Sequence, residues 1–198
     1  MSMAAVTSFD VGLRTLAECT AVVEDDAPAI KHWSVDDIVS PHSKASIKSL
    51  SSEQVARWTL AWLHAQSSRY DALHSRFGAD YNIVIESQPP KGTTKLKAVQ
   101  FIIFGFFGTR YPDAKVGFVS PRLKLRYDPS SGTRSFASAG TYKQNKAQAV
   151  EKATYAVEQL RLQSAAPWMH ARKKDDLADA LLQALQVMGI TLPSPVSS

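Results

Sequence analysis

The sequence predicts an α/β fold of five strands and four helices, and three observations lead to it. Two short apolar runs, Val6–Phe9 and Tyr81–Ile85, read as strands, and each ends on a carboxylate, Asp10 and Glu86. Four longer segments repeat apolar residues at helical spacing. The composition, 44% hydrophobic and 21% charged over 198 residues, is that of a globular chain long enough to bury a sizeable core.

Taken in order, Val6–Phe9 delivers Asp10, Gly12 makes a tight turn, and Leu16–Val23 returns as an antiparallel strand. An aspartate ending an apolar strand suits a cleft rather than a core; a turn aspartate bonding its own backbone accounts for it as well. Glu24–Asp26 reads as a solvated loop and Lys31–Val35 as a short third strand. Asp36–Lys48, polar and containing Pro41, reads as a loop in which Asp36, Asp37 and His42 show no site spacing, and neither does His32 before it. Ser51 or Ser52 caps a helix running to about Phe77 and ending at Gly78, with Trp58, Trp62 and His64 on its core or surface. Tyr81–Glu86 is a buried strand stopped by Pro89 and Pro90, which stiffen the loop holding Glu86.

Lys95–Phe107 predicts a helix that is apolar almost all round. Either its surplus face forms a homodimer interface, with Gly105 permitting close approach, or the helix is central and fully buried. Lys115–Ser120 is the fifth strand, followed by a basic segment with Arg122 and Lys124 and a flexible loop over 128–140. A helix from Tyr142 to Leu160 places Lys143 and Lys146 on one face, where they meet phosphate or simply face solvent. Pro167 breaks the chain before a last helix carrying Leu177, Leu181, Leu182 and Leu185. Asp176 and Asp179 lie three residues apart on that helix and share a face. Carboxylates so close repel, and a hard cation such as Mg²⁺ joins them; first-turn acids favoured by the helix dipole are the alternative. Asp175 is placed as the N-cap. Residues 1–190 read as one domain and 191–198 as a flexible Pro/Ser tail.

Charge and cysteine usage narrow the setting. The single cysteine, Cys19, allows no internal disulfide and no zinc-ligand spacing, which predicts a reduced, intracellular environment. No secretory signal, transit peptide or membrane span is expected, since the longest apolar run, Val99–Phe107, is far too short. Between Lys91 and Lys152 there are twelve Lys and Arg against three acids, a balance of +9 in a chain of net charge +5. The remainder therefore carries −4, and a basic middle of this kind predicts a polyanionic partner.

Three motifs together resemble Holliday junction resolvases of the RNase H-like superfamily: Asp10-Val11-Gly12-Leu13-Arg14, Ile83-Val84-Ile85-Glu86-Ser87-Gln88-Pro89, and Lys173-Lys174-Asp175-Asp176-Leu177-Ala178-Asp179. The chain is most similar to the branch holding poxviral and other large-DNA-virus resolvases and the fungal mitochondrial resolvases, and more distantly to bacterial RuvC. It departs from that pattern at Thr15, where Asn is common. The resemblance implies a mixed five-stranded sheet flanked by helices, a homodimer, and two symmetric nicks in four-way DNA. It further implies that Asp10, Glu86, Asp176 and Asp179 hold two Mg²⁺ ions, with Mn²⁺ a possible substitute, and that Lys146 assists at the scissile phosphate. On the same resemblance Lys143, Lys146, Arg122, Lys124 and Gln88 are the expected DNA-binding set, and whether Asp175 or Asp176 is the ligand stays open. A nuclease of the same fold acting on RNA–DNA hybrids or flaps, and a non-catalytic junction-binding protein, are the alternative functions. The implied setting is the cytoplasm or viral replication site of an infected cell, or alternatively a mitochondrion.

Overall fold

Pairing of the first two strands sets the frame. β1 (Ala5–Asp10) turns back through residues 11–15 into β2 (Leu16–Glu24), antiparallel to it, with Asp10 opposite Ala17. The computed structural model describes residues 4–24, 27–88, 93–121, 141–160, 168 and 174–190, except for the side chains of Tyr142 and Lys143. β3 (Ala27–Asp36) continues antiparallel beside β2. On the other side, β4 (Tyr81–Glu86) lies parallel to β1 and β5 (Lys115–Val119) parallel to β4. The result is a mixed five-stranded sheet of order β3-β2-β1-β4-β5, as the resemblance implies.

Helices cover both faces: α1 (Ser52–Ala65), α2 (Ser67–Phe77), α3 (Thr94–Arg110), α4 (Tyr142–Gln159) and α5 (Lys174–Val187). Strand alternation decides which residue meets which layer. Phe9, Ile83 and Ile85 pack with Val55, Leu63 and Ile103 from α1 and α3. Val6, Ala17 and Val84 pack with Ala153 of α4 and Leu177 and Leu181 of α5. Cys19 lies in this second layer, where burial pushes its thiol pKa up and leaves it inert.

Three elements differ from the sequence reading. The third strand covers Ala27–Asp36 rather than Lys31–Val35. Pro28 looks like a loop residue but is tolerated because β3 is an edge strand. The helix expected from Ser51 to Phe77 is two helices broken at Gln66, whose ψ of −2° leaves the helical range. The break re-aims α2 so that Tyr70 and Phe77 enter the core. The α3 helix is neither wholly buried nor apolar toward solvent all round. Val99, Ile103 and Phe107 are buried, whereas Phe101 is 57% exposed and Phe104 is also exposed, both against Phe118 of β5. Pro167, the segment 122–140 with Arg122 and Lys124, and the tail 191–198 lie outside the described residues.

One buried ion pair fixes α2 to the sheet. Glu18 of β2 is fully buried and accepts from Arg69 Nη1 and Nη2 at 2.5 and 2.9 Å and from the Tyr70 hydroxyl at 3.0 Å. Removing one partner from such a pair leaves an uncompensated charge. Arg69→Ala is therefore expected to lower unfolding free energy by about 3 kcal/mol or more. Arg57→Ala, which breaks the exposed pair with Glu53, should cost less than about 1 kcal/mol. Denaturant melts of both variants check the contrast, and equal effects would contradict it.

Candidate active site

Strand parity and register bring the first two carboxylates together. Asp10 follows Val6 and Ser8 on one face of β1, and Glu86 follows Asn82 and Val84 on the same face of β4. Because Phe9 pairs with Ile85 in the parallel ladder, the two acids end adjacent strands side by side. The chain leaves Asp10 through a turn that requires glycine at position 12. A Cβ there would lie 2.6 Å from the Thr15 carbonyl oxygen, too close for any side chain.

The α5 helix supplies the remaining acids and is anchored over the strand ends. Trp33 Nε1 of β3 donates to the Leu177 carbonyl at 3.0 Å, between Asp176 and Asp179 in sequence. The Trp33 ring stacks on Trp168, with centroids 5.3 Å apart, and the Lys174 ammonium lies over Trp168. Two turns along from Asp176, Gln183 Nε2 reaches the carbonyls of Phe9 and Val84, both at 3.4 Å. The helix is thus tied to β3, β1 and β4, and Asp176, Asp179 and Gln183 share its inward face.

The outcome is a cleft of about 300 Å³ lined by Asp10, Val11, Gly12, Thr15, Glu86, Pro121, Asn145, Lys146, Asp176 and Asp179. One carboxylate oxygen each from Asp10, Glu86 and Asp179 lie within 4.8 Å of one another, and all three residues are half-buried. Asp176, only 9% exposed, lines the same cleft. Converged carboxylates raise each other's energy unless a cation or proton intervenes. The donors are all carboxylate oxygens, and among the described residues the lining contains no His or Cys, so the set fits a hard cation such as Mg²⁺ or Mn²⁺ rather than zinc.

All four acids named from sequence line this cleft, and so does Lys146. Asp175 differs from its expected role. The helix begins at Lys174, so Asp175 lies inside the first turn instead of capping it, and its Oδ2 accepts from Lys146 Nζ. Gln88 is not among the lining residues; its backbone N–H donates to the side chain of Gln100 at 2.7 Å. Arg122, Lys124 and the side chain of Lys143 lie outside the described residues. Sequence reading missed Thr15 and Asn145 as lining residues. Asn145 was reachable: Thr141 and Gln144 form a reciprocal capping box, a T-x-x-Q signature that fixes the start of α4 and puts Asn145 beside Lys146 at the cleft.

Residues 4–191 match the model of the family described as Poxvirus A22 protein. No curated protein matches the chain significantly. Among solved structures, it is similar to the fowlpox virus Holliday junction resolvase, at 15% identity and a TM-score of 0.57, covering 93% of this chain and 96% of that one. It is also similar to Thermus thermophilus RuvC, at 16% identity and a TM-score of 0.51, covering 96% and 99%. T. thermophilus RuvC in complex with Holliday junction substrate gives a TM-score of 0.53 at 16% identity, with the same coverage. The fold is accordingly the RNase H-like one of these proteins.

The turn below Asp10 makes a prediction about two glycines. Gly12→Ala must displace the Thr15 backbone and should cost more than about 1 kcal/mol of stability. Gly108→Ala, on α3 with open space around its Cβ, should be neutral or gain about 0.5 to 1 kcal/mol. Thermal denaturation of the two variants gives the comparison, and a silent Gly12→Ala would contradict the close-approach account.

Proposed function

The chain belongs to the Poxvirus A22 protein family, and on that premise we propose that it is a structure-selective endonuclease resolving four-way DNA junctions by paired, symmetric nicks. The observation that carries this reading is the convergence of Asp10, Glu86 and Asp179, with Asp176 and Lys146, in one cleft at the strand ends. Similarity to a protein described as a fowlpox virus Holliday junction resolvase, and to RuvC bound to Holliday junction substrate, supports the choice of substrate. Phosphodiester hydrolysis needs an activated water and a stabilised leaving oxygen, which two divalent ions supply when bound. Asp10, Glu86, Asp176 and Asp179 would hold them, as Mg²⁺ with Mn²⁺ a possible substitute. Asp10 ends the central strand, beside Glu86 on β4, and would be among the ligands. Lys146 sits at the wall of the cleft, where its ammonium offsets negative charge growing on the scissile phosphate. Its partner Asp175 holds that ammonium near the cleft until phosphate competes for it.

Two nicks related by symmetry call for two sites, hence a homodimer. The apolar surface of Phe101, Phe104 and Phe118 is the interface this reading assigns. Ile103, on the opposite side of α3, is fully buried in the protein's own core and is not a probe of that surface. No described helix is long and apolar enough to cross a membrane. The setting proposed for the activity is replicating viral DNA in an infected cell.

End-labelled four-way junction, linear duplex and RNA–DNA hybrid, incubated with the protein in Mg²⁺ or EDTA, test the function. Paired nicks confined to the junction and abolished by EDTA are expected; cleavage of the hybrid instead, or binding without cutting, would overturn it. Asp10→Asn and Asp176→Asn should each reduce cleavage by at least 10³-fold, on the order of one lost transition-state contact or more, while keeping junction binding. Retained cutting in either variant contradicts the ligand assignment. Phe101→Glu combined with Phe104→Glu should give monomer mass by light scattering, and an unchanged dimer mass refutes the interface.

A further inference from the structure

The loop between β3 and α1, residues 37–51, carries no part of the cleft described above, yet the register brings it to the same end of the sheet. Asp36 closes β3 opposite Leu16, one position from the Ala17–Asp10 pair, so the chain leaves β3 two strands from Asp10, at the sheet end that carries the carboxylates. The loop is held in shape at both ends and along its length. Ile38, Val39 and Leu50 are buried in the core, and Asp37 Oδ1 accepts from the Val39 and Ser40 backbone N–H groups at 2.9 and 2.8 Å. His42 stacks on Trp58 of α1. Two cations tie the loop to neighbouring segments of the chain. Arg14, just beyond the Gly12 turn, donates to the Ala45 carbonyl at 3.1 Å. Lys95, at the start of α3, donates to the carbonyls of Ile47 and Lys48 at 2.6 and 2.9 Å.

What this braced loop presents is chemically one-sided. Between Asp37 and Glu53 the sequence has no acid but has Lys44, Lys48, His42 and six serines. Lys44, Ser46, Lys48 and Ser49 are all exposed. Ammonium groups and hydroxyls without intervening carboxylates suit phosphate oxygens, and a prearranged backbone spares the binding step its ordering entropy. Resting on the nuclease reading above, we infer that loop 37–51 is a phosphodiester-binding ledge. It seats one DNA arm at the edge of the cleft through Lys44 and Lys48, with Arg14 and Lys95 extending the same positive rim. The contacts position the arm and carry no base information.

The test measures junction affinity of the full chain in EDTA as a function of salt, for the parent protein, Lys44→Ala/Lys48→Ala, and Lys115→Ala. Lys115 opens β5 opposite Asn82, at the far end of the sheet from Glu86, and serves as the charge control. Each phosphate contact contributes roughly 0.9 to the slope of log K against log salt. The double variant should therefore lose about 1.8 from the slope and bind at least about tenfold more weakly at ~100 mM salt, while Lys115→Ala keeps the parent slope. A parent slope in the double variant, alongside normal junction cutting by the parent, overturns the ledge and leaves the nuclease reading intact. An equal loss in Lys115→Ala overturns it too, since charge anywhere would then suffice. A parent protein that binds no junction removes both readings together.

Discussion

Mutual repulsion among carboxylates is the constraint on which the rest of the molecule depends. Oxygens of Asp10, Glu86 and Asp179 lie within 4.8 Å of one another, with Asp176 beside them, and solvent only partly screens them. The scaffold holds that arrangement in place. The parallel β1–β4 ladder sets two acids on neighbouring strand ends, and the Gly12 turn lets the chain leave without covering them. The α5 helix, held by Trp33 and reaching the Phe9 carbonyl through its own Gln183, brings the other two to the same cleft. A fold that holds like charges together in this way is preorganised for a cation.

Charge is distributed around this centre in a consistent pattern. The acids and Lys146 line the cleft together, while Arg14 and Lys95 brace a lysine- and serine-bearing loop at the same end of the sheet. A polyanion meeting such a surface is drawn by the rim and meets the carboxylates only where it is held closest. The apolar surface of α3 and β5 lies on the other helix layer, away from α5.

Much of this architecture was legible in the sequence because the deciding signals are local. Apolar strands ending in Asp10 and Glu86, and an i, i+3 acid pair opening a leucine-periodic helix, are patterns that a short window contains. What was not legible depends on tertiary context. Edge position, invisible to local pattern, lets Pro28 sit inside β3. The break at Gln66 follows from the need to carry Arg69 to a buried Glu18 from far away in the chain. Asp175 has cap chemistry but loses that position because the helix already starts at Lys174, and its carboxylate instead accepts from Lys146. Likewise Ile103 and Phe101 look equivalent in an apolar helix until the sheet chooses which face to cover.

The most direct test of the account is anomalous diffraction from crystals of the protein equilibrated with Mn²⁺. The account predicts anomalous density bounded by Asp10, Glu86 and Asp179, extending toward Asp176, and lost on exchange into chelator. Well-ordered crystals at saturating Mn²⁺ with no anomalous density in that cleft, or density only at other surface acids, would contradict it.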